Sequence, residues 1–162
     1  MCLWFATFVY NPIIIFIMKR KVNAIWKGDG PTGSGVLTAQ SGAFENMSYS
    51  FKTRFENDNG KLGTNPEELI AAALAGCFNM KLSFLLKDAN FIPDELNTNA
   101  TLTFEDGKIS SIDLNLKGKV HEISSDRFVE LADEAKRNCP ISGVLNCPIS
   151  LSVSLICWIS KI

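Results

Sequence analysis

The sequence predicts an α+β domain built from antiparallel strands and a few helices. Three observations carry that expectation. Polar and apolar residues alternate in segments 21–26, 36–40, 47–55, 98–104, 109–120 and 149–156, the period of a half-buried strand. A helical period replaces it only across 66–89 and 125–138. The strands also come in runs, three before the first helix and two after it, without regular strand–helix–strand alternation.

The 162 residues favour one domain, long enough to bury a core without metal or disulfide support. A hydrophobic share of 46% against 20% charged residues places the chain among globular proteins. Its net charge of −1 lacks the basic excess of a nucleic-acid binder.

Lys21 to Trp26 reads as the first strand, and Gly28-Asp29-Gly30-Pro31-Thr32-Gly33 as a dense turn. Val36 to Gln40 is the second strand. Met47 to Phe55, with Tyr49, Phe51 and Phe55, is read as the third, completing an antiparallel meander. Glu56 to Gly60 is a polar loop. The helix from Pro66 to about Ala89 has a well-specified start. Asn65 is the N-cap, Pro66 takes the first helical position, and Glu68 falls at the third position of a capping box, which leaves Glu67 free. The helix is nearly apolar through its central turns, so it should be buried on most sides. Its small residues Ala71, Ala72, Ala73, Ala75 and Gly76 allow another backbone to approach closely. Glu105-Asp106-Gly107-Lys108 turns one strand into the next. The second helix, 125–138, presents Phe128, Leu131, Ala132 and Ala135, and must stop before Pro140. Pro140 starts a short helix through Leu145, and Ile149 to Ile156 closes the chain as a strand.

Residues 2–18 form an apolar run broken by Asn11-Pro12 and followed by Lys19-Arg20-Lys21. It lacks the basic start and cleavage site of a signal peptide. Three readings stand: a translated upstream extension with Met18 as the natural start, a short membrane anchor held by the basic cluster, or an extra strand. The domain is therefore expected over 19–162, with 1–18 as an extension, and membrane contact only if 2–18 are retained.

Five cysteines, Cys2, Cys77, Cys139, Cys147 and Cys157, fit no disulfide framework, and the one histidine, His121, gives no paired zinc-ligand spacing. Two of these thiols are well placed. Cys77 lies inside the long helix, and Cys139 sits at the break that ends the second.

Several stretches resemble the OsmC/Ohr family of thiol peroxidases, its OsmC branch in particular. They are Trp26-Lys27-Gly28-Asp29, Thr53-Arg54-Phe55-Glu56 (read as a strand), Gly63-Thr64-Asn65-Pro66-Glu67-Glu68-Leu69-Ile70 with Ala75-Gly76-Cys77-Phe78, and Cys139-Pro140-Ile141-Ser142. The resemblance covers about 19–156. It implies an OsmC-like fold, antiparallel sheets wrapped around central helices in an intertwined homodimer, with active sites at the subunit interface. It also implies a cytoplasmic, cysteine-based peroxidase that reduces organic hydroperoxides, and hydrogen peroxide less efficiently. Cys77 would be the peroxidatic cysteine, Cys139 the resolving cysteine that forms a disulfide with it, and Arg54 and Glu67 the activating pair. No cofactor or metal is implied. An external dithiol would restore the thiols, and the family offers a lipoyl-bearing protein for that role. Cys147 is extra to the pattern and could compete as the resolving thiol; Cys147 and Cys157 otherwise read as packing residues.

Thiolate, not thiol, attacks a peroxide. Three turns inside a helix, Cys77 receives little help from the helix dipole, and burial pushes its pKa up. A cation is needed, and Arg54 held by Glu67 is the candidate. Glu67 and Cys77 stand ten residues apart, about 15 Å along a straight helix. Either the helix bends near Gly76 or the pair comes from the partner subunit, which the small-residue face favours. Phe78, Met80 and Phe84 are candidate linings of an apolar substrate pocket. The competing reading is a non-catalytic OsmC-like protein that binds an apolar ligand or a partner.

Overall fold

A computed structural model describes residues 17–57 and 60–156. The expectations for most of the N-terminal run, and for Cys2 and Cys157, lie outside the described residues. The elements are β1 (Val22–Lys27), β2 (Ser34–Ala39), β3 (Met47–Ser50), α1 (Phe51–Phe55), α2 (Pro66–Asp88), β4 (Pro93–Glu105), β5 (Lys108–Val120), α3 (Ser125–Arg137) and β6 (Ile149–Leu155), with a 3-10 turn at Ser142–Val144 before β6.

Two three-stranded sheets result. The first, β1-β2-β3, is the expected meander, antiparallel throughout. In the second, order β4-β5-β6, β4 and β5 form a long hairpin. Asp106 and Gly107 make its turn at φ +51° and +78°, the left-handed pair that an Asp-Gly turn supplies. β6 departs from expectation, because it lies parallel to β5, with Leu114 opposite Leu151. A parallel neighbour needs a crossover rather than a tight turn, and α3 provides it. The α+β class stands, but the second sheet is mixed.

The third strand is also shorter than expected. After Ser50 the chain turns into α1, so Arg54 rides on a helix rather than on a strand. Ser50 caps it: the Thr53 N–H donates to Ser50 Oγ at 3.2 Å, and the Ser50 N–H donates to Thr53 Oγ1 at 2.9 Å. Phe51 and Phe55, read as alternating strand residues, are also four apart. As helix neighbours their rings stack at 4.8 Å between centroids.

The core lies between the second sheet and the two long helices. α2 contributes Leu74, Phe78, Leu82 and Leu86, β5 contributes Ile112, Leu114, Leu116 and Val120, and α3 contributes the four residues expected, Phe128, Leu131, Ala132 and Ala135. Along β5, burial alternates from Ile112 to Gly118, so one face meets the helices and the other faces out. Cys139 closes this core, with 2% of its surface exposed.

α2 is not buried on most sides. Its buried residues, Ala71, Leu74, Phe78, Leu82 and Leu86, form one stripe. Ala72, Ala73 and Gly76 face outward, as do Met80 and Phe84, 63% and 57% exposed. Composition made the helix look buried all round, but one chain supplies neighbours for only one side. The first sheet is similar: no residue of β1 is buried, and Val22, Ile25 and Trp26 lie exposed.

In the core, β5 and α3 pack closely at Gly118, where an added Cβ would come within 2.2 Å of Phe128 Cζ. Gly118→Ala should therefore lower stability by about 1–3 kcal/mol, through a displaced Phe128. A thermal melt checks it; an unchanged midpoint would mean that the ring has room to move.

Candidate functional site

The four residues singled out in the sequence fall into two pairs at different places in the chain. The first pair joins α1 to the start of α2. Asn65 caps α2 by accepting from the Glu68 N–H at 2.8 Å. The reciprocal half of the expected capping box is redirected, since Glu68 Oε2 accepts from the Thr64 hydroxyl at 2.7 Å. Glu68 is thereby held at the cap, and Glu67 turns to Arg54. Arg54 Nε donates to Glu67 Oε2 at 3.1 Å, and Nη2 donates to Oε1, a two-pronged pair. Its guanidinium carbon lies 4.7 Å from the centre of the Phe55 ring and 5.0 Å from that of Phe104. Each stack adds about 0.5–1 kcal/mol at a partly exposed site. Nη1 is left uncommitted among the described residues. The pair sits in an open cavity of about 600 Å³, walled by Phe55, Ala71, Ala100, Leu102 and Phe104.

The second pair is Cys77 and Cys139. Both are free thiols, Cys77 half-buried and Cys139 buried, and each is close enough to share a proton with the other. Asn138 ends α3, and Pro140 prevents its continuation, which fixes Cys139 at the mouth of the next turn. Burial pushes the Cys77 thiol above its ordinary pKa, and its hydrogen bond to Cys139 pushes it further. Burial is also the largest influence on Cys139 and pushes it up. It is outweighed by the nearby donors Cys77, then the Ser142 N–H, the adjacent Ser142 hydroxyl and the Ile141 N–H, so Cys139 ends below an ordinary thiol. Within this chain the acidic member of the pair is therefore Cys139.

α2 runs without interruption from Pro66 to Asp88, so Glu67 and Cys77 stay ten residues apart, about 15 Å along its axis. Neither cysteine lines the cavity around Arg54.

The structure places the remaining candidates as well. Cys147 is half-buried against the edge of the core. His121 meets Asp94 on the surface, with Nε2 3.1 Å from Oδ2. Phe78 is a wholly buried core residue rather than a pocket wall, and Phe55 and Phe104 line the cavity instead. Sequence reasoning missed Phe104 because it lies on the distant hairpin, and it missed Ser142. The Ser142 hydroxyl is shielded from solvent and makes no hydrogen bond of ordinary geometry among the described residues, although it bears on Cys139. Its spacing, three residues after Cys139, was the available signal. No cluster of three or more His, Cys, Asp or Glu side chains suited to a metal occurs among the described residues.

Comparisons with known proteins bear on the family and the fold. The family model for OsmC-like proteins matches residues 56–154. The chain is 39% identical over 142 residues to peroxiredoxin OsmC of Escherichia coli strain K12, a match covering 85% of this chain and 97% of that protein. It is 31% identical to an organic hydroperoxide resistance protein-like 1 of Staphylococcus saprophyticus, over 58% of this chain and 71% of the relative. Among solved structures, the organic hydroperoxide resistance protein OhrB of Bacillus subtilis superposes with a TM-score of 0.60 at 25% identity, covering 86% of this chain and 98% of OhrB. An OsmC-like protein of Mycoplasma pneumoniae, 17% identical, shares the fold with a TM-score of 0.68 over 88% of this chain and all of that one.

The proton-sharing pair makes a measurable prediction. Two coupled thiols titrate as a unit, so removing one changes the other. Cys139→Ala should lower the pKa of Cys77 by removing the hydrogen bond to Cys139 that pushes it up. Thiolate absorbance at 240 nm against pH reads this; a Cys77 midpoint that stayed put or rose would contradict the pairing.

Proposed function

The chain belongs to the OsmC-like protein family, and from that membership we propose that it is a peroxiredoxin-like enzyme that reduces organic hydroperoxides with a cysteine thiolate. The observation that carries this reading is the meeting of two free thiols, Cys77 and Cys139, one half-exposed and one buried. A protein that merely bound an apolar ligand would have no use for such a pair.

Cys77 Sγ attacks the outer peroxide oxygen. The O–O bond breaks, the alcohol leaves with a proton, and Cys77 becomes a sulfenic acid. Cys139 then attacks that sulfur, releasing water and forming the Cys77–Cys139 disulfide. A dithiol supplies two electrons to reopen it; a lipoyl-bearing protein is the donor we favour. No prosthetic group takes part. In this reading the enzyme works in the cytoplasm, where thiols are kept reduced. Residues 19–162 act as one catalytic domain, with 1–18 outside it.

The attack needs a cation near Cys77, because burial and Cys139 both disfavour its thiolate. Arg54 is that cation in this reading, held by Glu67 and by two aromatic rings with Nη1 left to act. The length of α2 keeps it away from the Cys77 of its own chain. The partner subunit of a homodimer therefore brings it. In support, the outer face of α2 carries Ala72, Ala73 and Gly76, where nothing lies within 4 Å of an added Cβ at Gly76, flanked by exposed Met80 and Phe84. Exposed apolar faces of this kind mark association surfaces.

A coupled assay with cumene hydroperoxide and dithiothreitol tests the activity. Wild type should turn over, and Cys77→Ser should lose turnover by at least about a thousandfold. Peptide mapping after oxidation should find Cys77 joined to Cys139; equal rates, or a Cys77–Cys147 bridge, would overturn the assignment of roles.

A further inference from the structure

Cys139 opens a tight turn. The Gly143 N–H donates to the Cys139 carbonyl at 3.1 Å, and Ile141 has helical angles, φ −71° and ψ −40°. At the start of such a turn, free backbone N–H groups point back toward the first residue. Pro140 has none to give, so Ile141 and Ser142 supply them. Residues three apart share a face of the turn, which sets the Ser142 side chain beside that of Cys139. The hydroxyl of Ser142 is fully shielded and has no hydrogen-bond partner among the described residues. A buried hydroxyl without a partner is uncommon and calls for an explanation, of which a role in redox chemistry is one.

We propose that Ser142 donates its hydroxyl to the Cys139 thiolate that departs when the Cys77–Cys139 disulfide is reduced, and that it thereby directs the reductant to Cys77. This rests on the peroxidase reading above. In the step itself, one thiolate of a dithiol attacks Cys77 Sγ. A new S–S bond joins the reductant to Cys77, the Cys77–Cys139 bond breaks, and its electron pair leaves on Cys139. The second thiolate of the dithiol then attacks the reductant sulfur of the mixed disulfide, closing the reductant into a cyclic disulfide and freeing Cys77. Two electrons pass from the dithiol to the protein.

Two further observations point the same way. Cys139 is 2% exposed while Cys77 is only half-buried, so an incoming thiolate reaches Cys77 first. The turn around Cys139 aims the Ile141 and Ser142 N–H groups at its sulfur and holds its thiol below the ordinary range, which favours its departure as a thiolate. Among the described residues, Cys77 on α2 is the only titratable group that bears on Cys139. Ser142 would touch the reacting sulfur, so it counts as a catalytic residue of the recycling half of the cycle, distinct from the groups that activate Cys77.

Three measurements test this. Ser142→Ala should slow disulfide reduction by dithiothreitol about threefold to tenfold, and Ser142→Thr, which keeps the hydroxyl, should restore most of the rate. In a Cys77→Ala background, Ser142→Ala should move the Cys139 titration midpoint up, a change that altered packing with the donor retained would not reproduce. Unchanged rate and midpoint would overturn the proposal. Should Ser142→Ala fail to fold, the wild type decides: oxidised protein treated with glutathione and quenched with N-ethylmaleimide should carry glutathione on Cys77, and glutathione on Cys139 would overturn it. Failure of the peroxidase reading shows separately, as no disulfide after peroxide, and leaves the Cys139 titration as the test of Ser142.

Discussion

Ten residues of one unbroken helix separate Glu67 from Cys77, and much of the molecule follows from that length. A helix advances 1.5 Å per residue, so a carboxylate at its first turn and a thiol three turns in cannot address the same small molecule. Arg54 cannot close the gap, because Glu67 holds two of its nitrogens and the rings of Phe55 and Phe104 lie against it. These contacts make the guanidinium rigid, which suits a group that must stabilise charge at one place. They also fix it at the far end of α2 from Cys77. Meanwhile Cys77 sits where burial and Cys139 both oppose ionisation. A chain with this geometry carries two halves of a peroxide-reducing site, and in our reading two chains complete it.

The same constraint gives a role to surfaces that a lone chain leaves uncovered. α2 packs one stripe into the core and turns alanines, Gly76, Met80 and Phe84 outward. The first sheet exposes Val22, Ile25 and Trp26. A helix this apolar is long enough to cross a membrane by composition alone, yet its buried stripe is shared with β5 and α3 in one core. In our reading a partner chain covers the rest of its apolar surface.

Much of this could be read from the residues. Asn65 and Pro66 marked the start of α2, Asp106-Gly107 marked the hairpin, and all four buried residues of α3 followed from their spacing. The misses have physical causes. Phe51 and Phe55 satisfy both a strand period and a helix period, and the capping pair Ser50 and Thr53 decided between them. The parallel pairing of β6 depends on where α3 carries the chain, which no local pattern encodes. Apolar composition shows that the faces of α2 need covering but not which chain covers them. The resemblance pointed to Arg54 with Glu67 and to Cys77 with Cys139, and the structure sets each pair together. Ser142 was visible only as a member of the Cys139 motif, because an orphaned hydroxyl shows only once burial is known.

The central claim is that each site draws Arg54 and Cys77 from different chains, and subunit complementation tests it most directly. Arg54→Ala and Cys77→Ser are purified separately, mixed under conditions that exchange subunits, and assayed with cumene hydroperoxide. Each variant alone should be nearly inactive. The mixture should recover roughly a quarter of wild-type turnover, since half of the dimers are mixed and each mixed dimer holds one intact site. A mixture no more active than its parts, with exchange verified, would place Arg54 and Cys77 in the same chain's site and contradict the account.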